Sequence, residues 1–261
     1  MENFAIISAF SDIEHGRLGN NAAVILSQNR LEKSEMSAIA FELQQPATTF
    51  LFPIKPGHYE VFWFAPDGEI DLCGHGSLAA AAFLNNFKSE EKAVLHYEKG
   101  FIKVGYENNS HYLWIDPIEV IDHQKAPEGL ESALGKEIHD YFTTANKHIV
   151  ILKSEEDVQS MKPDFNALAK LEPFGYAVSA PAKEVDFVSR TLVPKVQQLE
   201  DHATGSSHAV LVPFWAERLM KSEMESLQLS PRGGAFHSEI HMNKVLLKGQ
   251  TRLIVQGQYP L

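Results

Sequence analysis

Short apolar runs, punctuated by turn residues, mark out the first half of the chain. Phe4–Phe10, Ala23–Leu26, Thr49–Phe52 and Tyr59–Phe64 are partly β-branched or aromatic and end at polar or turn residues, which predicts strands. Between the second and third, Met36, Ile39, Ala40 and Leu43 fall at i, i+3, i+4 and i+7. That spacing predicts a helix over Leu31–Leu43 with one apolar face. Pro66-Asp-Gly68 predicts a turn, and the Ala-rich run Leu78–Phe87 a second helix. Ala93–Tyr97, Phe101–Tyr106 and Tyr112–Ile115 predict three more strands, with hairpin turns at Glu98-Lys-Gly100 and Glu107-Asn-Asn-Ser110. Asp116-Pro117 ends this half.

The second half repeats the order. Asn20–Leu26 is echoed by Asn146–Leu152, and the helix around Ala40 by Phe165–Leu171, where Phe165, Leu168 and Ala169 share a face. Thr49–Pro53 is echoed by Ala177–Pro181, Phe62–Pro66 by Val188–Pro194, and Cys73-Gly-His75 by Thr204-Gly-Ser206. The offset drifts from 126 to 131 residues, as a duplicated half-chain unit would after gaining loop residues. A period this long is no solenoid; it predicts two similar α+β domains. Their expected bounds are 1–117 and 118–261, with the last strand free to pack back on the first domain.

Composition narrows the function. The 261 residues are 44% hydrophobic and 22% charged, ordinary for a globular chain long enough for two domains. A net charge of −11 repels phosphate backbones and anionic membranes, so no nucleic-acid partner is expected. The amino terminus lacks the basic start of a signal peptide, and no apolar run approaches a membrane span. A cytoplasmic protein with no membrane partner is the expectation. The lone cysteine, Cys73, excludes an intrachain disulfide, a cysteine-rich zinc site and any two-thiol mechanism within one chain.

The candidate chemistry lies at the two echoed glycine turns. Leu72-Cys-Gly-His-Gly-Ser-Leu-Ala79 and Ala203-Thr-Gly-Ser-Ser-His-Ala209 each lead straight into a helix. Gly74, Gly76, Ser77, Thr204, Gly205, Ser206 and Ser207 leave the first-turn N–H groups open, and the helix dipole favours negative charge there. Two such starts facing one cleft would bind a small carboxylate; two ordinary capped helices are the plain alternative. Asp201 and His75 lie next to these turns and suit proton transfer at a carbon beside a carboxyl group. Asp201 could equally cap its helix, and His75 be a buried hydrogen-bonding imidazole. Cys73 is a nucleophile or base only if a helix start lowers its pKa, and otherwise packing.

The order Gly19-Asn-Asn-Ala-Ala-Val24, Phe64-Ala-Pro66, Asp71–Ala79, Glu200–Ser206 and Gln228-Leu-Ser-Pro-Arg-Gly-Gly234 resembles the PhzF family of phenazine biosynthesis. The resemblance runs nearly end to end, to the closing Val245–Gly249 strand. It implies a diaminopimelate-epimerase-like α+β fold: two pseudo-symmetric domains, each a barrel-like sheet around a central helix, with the site between them. It further implies a homodimer and a cofactor-free isomerase of the kind acting on trans-2,3-dihydro-3-hydroxyanthranilate. On the resemblance His75, Asp201 and Ser206 match active-site positions, and the Gly74–His75 and Gly205–Ser206 amides match the carboxylate cradle. One position departs from the family pattern. The proton-shuttling glutamate of a Ser-Glu-Thr-x-Phe element is replaced in Pro46-Ala-Thr-Thr-Phe50 by Ala47, which carries no proton. Smaller departures are Ser8, where Asp is common, and His202, where Pro usually follows Glu-Asp.

The leading expectation is therefore a PhzF-like isomerase moving a proton on a small carboxylic acid. The rival is a non-catalytic carboxylate-binding protein that has lost the shuttle. A thiol–hydroxyl racemase using Cys73 and Thr204, or a hydroxyproline-type dehydratase, ranks below both. No Gly-x-Gly-x-x-Gly or Walker loop appears, so no nucleotide cofactor is expected. His237-Ser-Glu-Ile-His241 reads as a solvated strand face, and no metal site is expected. Arg232 either reaches an anion or orders its turn. Trp63, Trp114 and Trp215 read as packing.

Overall fold

In the computed structural model, which describes residues 1–260, every strand predicted in the first half is present. They are β1 (Glu2–Ser11), β2 (Asn20–Leu26), β3 (Ala47–Lys55), β4 (His58–Ala65), a short β5 (Gly68–Ile70), β6 (Lys92–Tyr97), β7 (Gly100–Glu107) and β8 (Ser110–Ile115). The two predicted helices are α1 (Lys33–Leu43) and α2 (Gly74–Lys88). The second starts four residues before its Ala-rich run, at the glycine turn itself.

These strands form a closed ring. β1 pairs antiparallel with β2, β2 parallel with β3, β3 antiparallel with β4, and β4 parallel with β6. β7 and β8 continue as antiparallel hairpins. The chain's final strand, Lys244–Tyr259, bonds to β8 on one side and antiparallel to β1 on the other, with Ile6 opposite Val255. That closes eight strands into a barrel, and β5 pairs with β4 outside the ring.

A barrel of about eight strands has an interior barely wide enough for side chains. A helix fits only if it is thin, and α2 is built from Gly, Ser and four consecutive alanines, Ala79–Ala82. Every residue from Gly74 to Leu84 is buried, against β1, β2, β3, β6, β7 and β8. Gly76 marks the tightest point: a Cβ there would lie 2.8 Å from both Thr49 Oγ1 and Trp63 Cδ1.

The second unit covers Asp116–Val245, and the chain from Leu246 onward belongs with the first. Its strands are β9 (Val120–Gln124), β10 (Asp140–Thr144), β11 (His148–Ile151), β12 (Tyr176–Pro181), β13 (Phe187–Leu192), β14 (Glu200–Asp201), β15 (Glu223–Gln228) and β16 (Gly234–His241). β17 is the final strand already described. The helices are α3 (Leu130–Leu134), α4 (Glu155–Ser160), α5 (Phe165–Leu168) and α6 (Gly205–Leu219). The pairing senses repeat those of the first unit. β11 is parallel to β12, β12 antiparallel to β13, β13 parallel to β15, and β15 antiparallel to β16.

One sequence expectation changes here, and one strand carries no pattern that predicts it. The helix predicted over Phe165–Leu171 ends at Leu168 and is preceded by a separate turn of helix, α4, capped by Ser154, whose hydroxyl accepts from Asp157 N–H. β9 has no apolar alternation because it is exposed throughout and is held by its backbone pairing with β10.

α6 survives an internal proline. Pro213 has no N–H to offer Ala209, so that carbonyl would be orphaned inside the unit. Ile118 N–H donates to it instead, at 3.0 Å. Among the described residues no helix is long and apolar enough to cross a membrane.

Candidate active site

α2 and α6 start alike and end their likeness quickly. Each runs for 15 residues, and the residues before them, Cys73 and Thr204, share one extended conformation: φ −120°, ψ 100° and φ −115°, ψ 102°. At α2 the Cys73 sulfur serves as a cap, with Sγ accepting from Gly76 N–H at 3.3 Å. His75 is buried with Nδ1 3.5 Å from the same sulfur. Ser77 donates its hydroxyl to Cys73 O at 2.7 Å and its N–H to the same carbonyl at 2.9 Å. Ser77 thus spends both donors on the helix start. Ala47 is fully buried on β3, two residues from Thr49, whose hydroxyl donates to Gly76 O at 3.3 Å. Alternation along a strand puts both side chains on the face toward α2.

At α6 the cap residue is tied elsewhere. Gln228 accepts from Thr204 N–H at 2.8 Å, donates to Thr204 Oγ1 at 3.1 Å, and donates to Asp201 O. Thr204 gives its helix no side-chain cap. The first bond into the helix is His208 N–H to Thr204 O, so the N–H groups of Gly205, Ser206 and Ser207 have no partner among the described residues. Ser207 is buried against Thr191, hydroxyl to hydroxyl at 2.9 Å. Ser206 is half-buried and accepts from Lys147 Nζ at 2.9 Å.

Asp201 sits half-buried in β14, paired with Thr191 of β13. Its neighbour Glu200 anchors that strand: Arg190 donates Nε and a terminal nitrogen to the two carboxylate oxygens, each at 2.7 Å, with both side chains about nine-tenths buried. Arg190 also donates to Met161 O at 2.6 Å. Glu200 is committed to this pair, and strand alternation turns Asp201 to the other face.

Three of the second unit's histidines, His202, His208 and His237, lie in or beside the stretches the sequence singles out. His208, fully buried, bridges Thr204 O at 2.9 Å and Ser226 Oγ at 3.1 Å and stacks on Phe236. Burial pushes its pKa down to about 4. His202 is also held below its usual value, chiefly by burial, with Arg232 opposing protonation and Asp201 favouring it. Arg232 therefore acts on His202, from a turn where Ser230 donates to His202 O at 2.7 Å. His237 is engaged by Glu223, Glu225 and Glu239. Among the described residues no cluster of His, Cys, Asp or Glu is arranged to hold a metal.

The sequence profile of phenazine biosynthesis-like proteins, PhzC-PhzF, matches residues 7–258. The chain belongs to the PhzF family. An uncharacterized isomerase of Pseudomonas aeruginosa is 34% identical over 246 residues, 93% of each chain. A crystal structure of a PhzF-family phenazine biosynthesis protein from Enterococcus faecalis matches over 100% of both chains, with 35% identity and a TM-score of 0.92. A probable proline racemase of Agrobacterium radiobacter K84 shares the fold alone, at 10% identity and a TM-score of 0.68, covering 100% of this chain and 93% of its own. The expected diaminopimelate-epimerase-like α+β fold is thus the one observed.

Two PhzF residues at these turns carry no role in the sequence reading: Gln228 and Lys147. Both stand inside stretches the sequence singles out, Gln228 opening the Pro-Arg-Gly-Gly element and Lys147 in the echo of Asn20–Leu26. Their side chains reach α6 from 24 and 59 residues away, which no local pattern encodes.

Proposed function

We propose that this PhzF-family chain is an isomerase that moves a proton on a small carboxylic acid without a cofactor. Asp201 and His75 carry the acid–base work. Ser206, with the amides of the Gly205–Ser206 turn, holds the carboxylate. The observation that carries the reading is the open first turn of α6, three unpartnered N–H groups and a hydroxyl, one strand-turn from Asp201. Donors fixed in place stabilise the anion left when a proton departs beside a carboxyl group. The isomerases among its relatives support the class of reaction.

The test is solvent deuterium incorporation into trans-2,3-dihydro-3-hydroxyanthranilate and a panel of small cyclic acids. Asp201→Asn and His75→Ala should each slow exchange by roughly a hundredfold or more. Exchange unchanged in both variants would sink the assignment.

Ala47 favours a second reading, a carboxylate-binding protein that has lost its shuttle. Its fully buried methyl group on the face toward α2 supplies no proton. Restoring Ala47→Glu separates the two: exchange that appears only in the variant supports binding without catalysis, and exchange by the natural chain supports the isomerase.

A further inference from the structure

Lys147 is a charged residue built into the second unit, between β10 and β11. It is only 5% exposed, and its ammonium donates to Asn146 Oδ1 at 2.8 Å and to Ser206 Oγ at 2.9 Å, with the Phe174 ring 5.9 Å from Nζ. Thr144 fixes the turn that carries it, donating to Lys147 O at 2.9 Å and accepting from Asn146 N–H at 3.1 Å. A surface lysine leaves its head in water; this one is drawn in and aimed at the first turn of α6.

The direction of that hydrogen bond matters. An ammonium has donors and no acceptor, so Ser206 Oγ must accept from it. The hydroxyl proton of Ser206 then points elsewhere, and it has no acceptor among the described residues. Beside it are the open N–H groups of Gly205, Ser206 and Ser207. The result is a hydroxyl made a better donor by the ammonium behind it, next to three amides at the positive end of a helix. Such a set complements an anion.

The repeat shows that this feature belongs to one half alone. Lys147 follows Asn146 where Asn21 follows Asn20 in the echoed stretch. The first half therefore has no lysine at that position, and its Gly76 amide is taken by the Cys73 sulfur.

We propose that Lys147 is a positioning and specificity residue: it sets Ser206 as a donor and makes the α6 start the end that takes the substrate's carboxylate. This rests on the isomerase reading for the identity of the turn as a substrate site. The ligand class is a monoanionic carboxylate, with the corresponding neutral amide bound weakly.

Benzoate and its uncharged isostere benzamide, titrated calorimetrically, test this. The natural chain should prefer benzoate. Lys147→Met should weaken benzoate by roughly ten- to a hundredfold, the worth of a charge-assisted hydrogen bond, and leave benzamide within about twofold. Lys147→Arg should keep most of the preference, and Ser206→Ala should weaken benzoate in the natural background but add little to Lys147→Met. Benzoate binding unchanged in Lys147→Met, equal loss of both probes, or no preference in the natural chain overturns the proposal. Should Lys147→Met melt early, Ser206→Ala decides alone: unchanged benzoate affinity overturns the proposal, selective loss supports it. Asp201→Asn leaves this donor set in place, so exchange and benzoate binding fail independently and the two readings are told apart.

Discussion

Cys73 and Thr204 hold the same backbone conformation at the starts of two 15-residue helices, yet only Cys73 caps its helix with its own side chain. The sulfur takes the Gly76 amide, whereas the Thr204 hydroxyl is taken by Gln228. The Gly76 amide is thus taken at one helix start, while its counterpart at the other, the Ser207 amide, has no partner among the described residues.

Removing the sulfur should therefore cost stability in the first unit. Cys73→Ala loses an N-cap acceptor, worth about 1 kcal/mol, and Cys73→Ser, which keeps an acceptor of similar reach, should recover most of it. Urea unfolding midpoints compare the two; equal losses would show that the cap contributes nothing.

Gly76 should tolerate no side chain. A Cβ placed 2.8 Å from Thr49 Oγ1 and Trp63 Cδ1 forces the barrel wall or the helix to move. Gly76→Ala is expected to destabilise by about 1–3 kcal/mol, the usual cost of overpacking. Thermal unfolding measures it.

The Arg190–Glu200 pair should show the asymmetry of buried ion pairs. Glu200→Gln leaves the Arg190 charge buried without its carboxylate and should cost about 3 kcal/mol or more, while Arg190→Met with Glu200→Leu should recover much of the loss. Because Glu200 anchors the strand that carries Asp201, proton exchange should fall in Glu200→Gln as well. A double-mutant cycle on chemical denaturation checks the first claim, and deuterium incorporation the second.

Acid should weaken the fold through His208. Its imidazole titrates near 6.5 when unfolded and at about 4 when buried. The neutral form is the folded one, so nothing is lost above pH 6.5; as pH falls from there to about 4, the unfolded state alone gains a proton. The loss reaches ~2–3 kcal/mol by about pH 4.5 and levels off below pH 4. His111, also held at about 4 by burial, adds in the same direction. His208→Gln should flatten the dependence of unfolding free energy on pH across this window; an unchanged slope would rule out His208 as its source.

Much of this protein is written in local pattern. Strand spans, the helix at Leu31–Leu43, the duplicated order and the paired glycine turns all depend on residues within a few positions of each other, so periodicity and turn chemistry suffice to find them. What lay beyond the sequence is long-range. The sequence allows the last strand to pack back on the first domain, but that Lys244–Tyr259 closes a barrel there follows from its pairing with β1 and β8, more than a hundred residues earlier. That Cys73 caps while Thr204 does not turns on Gln228, and that Ser206 Oγ accepts from an ammonium turns on Lys147. Hydrogen-bond direction and burial are set by which side chains packing brings together, and only the tertiary structure decides that.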